Sequence, residues 1–181
     1  MRQSSHYTRT AIGLHWIVAL LIFATFGLGW FMTDIADNSG GKMQYYAWHK
    51  WLGITVFLVA VMRVLWRSFN QPPPLAENIS KLQQLAAKIV HWMLYILILI
   101  VPLSGYFYSL AAGFAVVYLG IIPLPVLIQP DTQLAHTLKE LHEILVYTMV
   151  ALVVLHLMAA LKHHIFDGDN TLAKMLPFLE K

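Results

Sequence analysis

Apolar residues run through this chain in blocks of about twenty, long enough to cross a hydrocarbon core as helices. Four blocks stand out: AIGLHWIVALLIFATFGLGWFM at 11–32, AWHKWLGITVFLVAVMRVLW at 47–66, IVHWMLYILILIVPLSGYFYSL at 89–110, and a fourth from about Leu138 to Phe166. The third carries Pro102, which predicts a kink. NQPPPLAENISK, residues 70–81, reads as a loop because its prolines cannot continue a helix. A fifth apolar run, 111–130, is broken by Pro123, Pro125, Pro130, Gly113 and Gly120, which argues against a continuous helix.

Composition agrees with a membrane protein. Of 181 residues 59% are hydrophobic and only 12% charged, about half the charged share of a soluble domain. The predicted fold is all-α, a transmembrane bundle of four helices forming a single domain over 1–181. The first block follows a basic start but has no small-residue cleavage site, so it reads as a retained span. The absence of cysteine excludes cysteine-held iron–sulfur clusters, covalently attached haem and disulfides. The basic pI of about 9.2 reflects residues scattered at span ends, not a nucleic-acid surface. Trp16, Trp30, Trp48, Trp51, Trp66 and Trp92 fall near those ends too, as an interfacial belt requires.

Charge also sets the expected orientation. With four spans and both termini cytoplasmic, nine Lys and Arg lie inside and three, Lys42, Lys50 and Lys139, outside. The inner nine include Arg2 and Lys181 at the extreme termini. If 111–130 also crossed, the split would fall to seven against five, so that run is placed at the outer interface.

Histidines are costly in lipid, and four fall inside the spans at matched depths. His15 lies near the inner face on the first span, and His49 near the outer face on the second. On the fourth span His142 is outer, and His156 follows fourteen residues later, roughly 21 Å deeper and on nearly the same side. His49 therefore faces His142 in one layer, and His15 faces His156 in the other. Paired imidazoles on facing helices suit a haem with one ligand on each side of its iron, so two haems are expected. Zinc needs three or four ligands around one point, which layers so far apart cannot supply. Filled axial positions leave electron transfer as the chemistry. The competing reading makes each histidine a helix–helix hydrogen-bonding residue. His6 and His136 lie outside the spans as ordinary polar residues. His91 has no facing partner and is given a packing or propionate-contact role. Arg63 repeats the spacing of fourteen from His49, as a propionate partner for the inner haem or as a snorkelling arginine.

These residues resemble the bacterial cytochrome b561 family. The resemblance is carried by LHW in the first span, WHKWLGI and MRVLWR in the second, PPP in the loop and LSGY in the third. It continues through LHEILVYTMVALVVLHLMAALKHH and DGDNTLAKMLP. It covers nearly the whole chain, least characteristically at 111–137. It implies two haem b groups with His15, His49, His142 and His156 as ligands, and electron transfer with ubiquinone in the bacterial inner membrane. One kind of relative is a superoxide oxidase, which implies superoxide as the donor at the periplasmic face. The KHH match implies His163 at a quinone site, with Lys162 and His164 beside it.

The chemistry of ALKHHIFDGDNTL is compatible, because a quinone needs hydrogen-bond donors and protons, and Asp167 or Asp169 can link a histidine to water. The plainer reading is a basic helix end favoured by the helix dipole. On the outer side Lys42, Lys50 and Lys139 are offset by Asp34, Asp37, Asp131, Glu140 and Glu143, so no net funnel for an anion is expected. No side chain is assigned a catalytic role. The rival functions are a haem-bearing relay subunit for a dehydrogenase or hydrogenase, and a histidine-lined transporter without haem.

Overall fold

The computed structural model describes residues 7–35, 41–73 and 80–179. Arg2, His6, Asp37, Lys181 and residues 74–79 of the expected 70–81 loop lie outside these. Four helices form the chain: α1 (Arg9–Asp34), α2 (Lys42–Phe69), α3 (Lys81–Ala111) and α4 (Thr132–Ile165), each long and apolar enough to cross a membrane.

Every helix outruns the apolar block that predicts it. α3 starts at Lys81 rather than Ile89, and α4 at Thr132 rather than Leu138. Hydropathy marks where a helix meets hydrocarbon, whereas capping marks where it begins. Ser80 accepts from the Gln83 amide while the Gln83 side chain accepts from the Ser80 amide, a reciprocal cap. Asp131 accepts from the Leu134 amide at 2.9 Å, and Thr8 from Ala11 at 3.2 Å. Through Pro102 α3 remains a single helix, as spans do when neighbouring groups re-satisfy the freed backbone.

The helices pack in chain order, α1 on α2, α2 on α3 and α3 on α4. Their shared core is Val18, Ile22, Val56, Ala60, Leu97, Ile98, Val101 and Met149. Large apolar side chains such as Leu20, Trp92 and Ile165 point outward at 66%, 71% and 65% exposure, a surface made for lipid. Between such helices lipid tails remove the hydrophobic drive, so close van der Waals contact has to hold the bundle. Ala60, fully buried, lets the backbones approach.

Beyond Ala111, where α3 ends, the run to residue 130 forms no helix. Strands β1 (Val117–Tyr118) and β2 (Ile122–Pro123) pair antiparallel around a turn in which Leu119 and Gly120 both have positive φ. Trp51 Nε1 donates to the Val117 carbonyl at 2.8 Å, and Thr55 Oγ1 lies 3.0 Å from the Tyr118 hydroxyl. The Asp131 amide donates to the Ala111 carbonyl, closing the segment into a loop over one end of the bundle. At the other end the chain after α4 folds back: Ala173 is buried and Trp16 Nε1 donates to the Met175 carbonyl at 2.9 Å.

Candidate functional site

The four helices bring the intramembrane histidines together in two pairs. At the hairpin end the His49 and His142 rings stand 6.4 Å apart between centroids, at 90° to each other. At the tail end His15 and His156 stand 6.4 Å apart at 68°. Imidazoles on opposite sides of one metal, with bonds of about 2.0–2.1 Å and roughly 1.1 Å more to each ring centre, stand about 6.3 Å apart. Both separations match that figure. His91 shows the contrast. Its ring lies 5.1 Å from that of His156, too near for the two to stand on opposite sides of one metal, so it does face a partner, but as a packing neighbour.

Each hairpin-end imidazole is seated by the helix beside it. His49 Nδ1 donates to the Thr25 carbonyl at 3.1 Å, and His142 Nδ1 lies 2.9 Å from Ser104 Oγ. Ser104 gives its own proton to the Val101 carbonyl at 2.7 Å, so toward His142 it accepts. Both rings therefore carry their proton on Nδ1 and leave Nε2 bare for a metal. Gly29 and Gly105 make this possible: a Cβ on either would come 3.0 Å from Cε1 of His49 or His142 respectively. These four seats were not singled out from the sequence. The glycines do stand in apolar helices, where a missing side chain signals a close approach.

Arg63 lies toward the tail end with its guanidinium over the Tyr95 ring at 5.5 Å, and Arg67 covers the same ring at 5.2 Å. One Arg63 nitrogen, Nη1, is buried without a hydrogen-bond partner. A buried guanidinium N–H left open is costly and suited to a carboxylate. It borders a small open recess whose wall includes Tyr7, Trp66, Asn70 and Met175. Two pairs at metal-spanning separation, with a spare guanidinium beside one of them, fit a propionate-bearing iron porphyrin.

The α4 terminus gathers the KHH residues unevenly. His163 is largely buried, with Nδ1 2.9 Å from Asp167 Oδ2 and 3.0 Å from Asp169 Oδ2. Lys162 Nζ reaches Asp167 at 2.6 Å. His164 has no part in this cluster. Burial pushes the Asp169 carboxyl up, but hydrogen bonds from Thr171 and the facing His163 outweigh it and hold it below the ordinary value. At the hairpin end Lys139 pairs with Glu143 at 3.7 Å and Lys42 donates to the Ile35 carbonyl. Lys50 instead donates to Ser109 Oγ at 3.3 Å and lies over Phe114.

The family model for prokaryotic cytochrome b561 matches residues 6–178. The chain belongs to that family. Among its relatives, cytochrome b561 homolog 2 of Escherichia coli K12 is 33% identical, covering 94% of this chain and 90% of its own length. The probable superoxide oxidase CybB of Yersinia pestis is 30% identical over 94% and 96%, and cytochrome b561 homolog 1 of Escherichia coli K12 is 29% identical over 96% and 98%. The cytochrome b561 family binds b-type haem. This member is thus a multi-pass bacterial membrane haem protein of electron transport.

Proposed function

We propose that the protein binds two b haems and moves electrons from superoxide at the periplasmic face to ubiquinone near the cytoplasmic face of the inner membrane. The observation that carries this is the pair of matched 6.4 Å separations. His49 and His142 hold one haem, and His15 and His156 the other. Arg63 takes a propionate of the latter on its open Nη1. A haem held by such a pair of histidines would supply a one-electron carrier.

The hairpin end is the periplasmic one, because that places most lysines and arginines inside. There Lys50, next to His49 in the chain and tied to a hydroxyl and a ring instead of a carboxylate, offers positive charge to an anion. Two superoxide anions each give up one electron and leave as dioxygen. One ubiquinone takes the two electrons with two protons and leaves as ubiquinol. His163 donates a hydrogen bond to the quinone oxygen and passes a proton, which Asp167 and Asp169 resupply from water. Lys162 and His164 flank that site. The name of the Yersinia pestis relative, a probable superoxide oxidase, supports the donor.

The test is to mix purified, oxidised holoprotein with superoxide and follow haem absorbance. Reduction that drains away when ubiquinone is added is the expected result. Haem that ignores superoxide, yet is reduced by a dehydrogenase or hydrogenase, would replace this reading with that of a relay subunit.

A further inference from the structure

The two histidine pairs match in separation but differ in what stands behind them. In the His49–His142 pair both Nδ1 protons are engaged, one by the Thr25 carbonyl at 3.1 Å, the other by Ser104 Oγ at 2.9 Å. The Ser104 hydroxyl is itself committed to the Val101 carbonyl, and the side chain is buried, so its role as acceptor is fixed. Glycines at 29 and 105 let both rings settle against their supporting helices. Among the described residues, the neighbours of the His15–His156 pair are of another kind. His15 packs edge-on against Trp16 at 5.3 Å, His156 against His91 at 5.1 Å, and Arg63 lies nearby with one buried nitrogen open.

A ligand imidazole whose far N–H is held by an acceptor is the stronger electron donor to its metal. Stronger donation stabilises ferric over ferrous iron and lowers the potential. A buried guanidinium works the other way, by neutralising a propionate that would otherwise oppose an incoming electron. Lys50 adds positive charge at the hairpin end and is partly exposed, as Arg63 is, but its ammonium is engaged by Ser109 Oγ, whereas the buried Arg63 Nη1 is open.

We infer that Ser104, with the Thr25 carbonyl, is a positioning and tuning residue that keeps the His49–His142 site at a lower potential than the His15–His156 site. Electrons arriving at the hairpin end then run downhill toward the tail end. This rests on the proposed haem ligation. It adds the order of the two potentials, which neither the ligation nor the two matched separations supply.

The experiment is a redox titration of the holoprotein followed by haem absorbance, with neither superoxide nor quinone present. Two one-electron waves are expected. Electron occupancy should favour the tail-end haem at least tenfold, a gap of about 59 mV for a one-electron couple. The His15→Ala variant, left with the hairpin-end haem, identifies the lower wave. Fewer than two haems would defeat the ligation itself. Two haems with the hairpin-end one equal or higher would overturn this inference while leaving the ligation intact. Ser104→Ala should raise the lower wave alone and shift the low-spin electron paramagnetic resonance signal of that haem. Ser104→Thr, which keeps a hydroxyl, should restore both. If Ser104→Ala moves neither wave nor signal, Ser104 has no tuning role. The wild-type titration decides the gradient even if that variant loses its haem.

Discussion

At the scale of single residues the bundle is specified by what is missing from a side chain as much as by what is present. Gly105 contributes nothing but space, yet a methyl group there would meet the His142 ring at 3.0 Å. Gly105→Ala should therefore displace the ring and lower haem content toward one per chain, while destabilising the holoprotein by about 1–3 kcal/mol. Gly13 has nothing within 4 Å of the same position, so Gly13→Ala should retain both haems. Haem-to-protein ratios and thermal melts in detergent compare the two. The histidines themselves give a sharper division. His49→Ala or His142→Ala should remove one haem and spare the other, and His15→Ala or His156→Ala should do the reverse. Absorbance spectra that lose haem without regard to these pairs would count against the pairing.

At the scale of elements, the turn after α4 links the helix terminus to the returning tail. Asp169 accepts from the Thr171 amide at 2.8 Å and faces His163 at 3.0 Å, while its own amide donates to the His163 carbonyl. Its carboxyl is held below the ordinary value of about 3.9. A folded value below the unfolded one means that the charged carboxylate stabilises this turn. The contribution is complete above the unfolded value and is lost as pH falls through the folded one. Hydrogen exchange at residues 169–176 should accelerate on acidification through that range, and Asp169→Asn should abolish the pH dependence. His163→Ala should keep both haems and slow quinone-linked turnover by roughly 10²-fold or more, the usual contribution of a positioned proton donor. Turnover that stayed unchanged would remove His163 from the quinone site.

At the scale of the whole molecule the claims concern sidedness. The proposed orientation, with nine cations against three, puts the tail end in the cytoplasm. The chain has no cysteine, so single introduced thiols report orientation without background. Lys139→Cys should react with an impermeant maleimide added to intact spheroplasts, and Lys88→Cys only after lysis. The opposite pattern would invert the direction of the proposed electron path.

Four spans and two histidine layers were legible in the sequence for a simple reason. Hydropathy and a spacing of fourteen residues are properties of one helix at a time, and lipid forces those helices to stay whole. The non-helical character of 111–130 was legible too, because proline and glycine act locally. Helix ends were less so: Lys81 and Thr132 start their helices outside the apolar blocks, where caps decide and hydropathy is silent. What only the tertiary structure decided were relations between helices. Ser104 and the Thr25 carbonyl became acceptors because particular rotations of α3 and α1 aim them at histidines on α4 and α2. The 5.1 Å contact of His91 with His156, the open Arg63 nitrogen and the tail folded onto Trp16 arise in the same way. Sequence periodicity fixes which face a residue occupies, but the partner across that face depends on how neighbouring helices rotate and slide, and that is settled by packing.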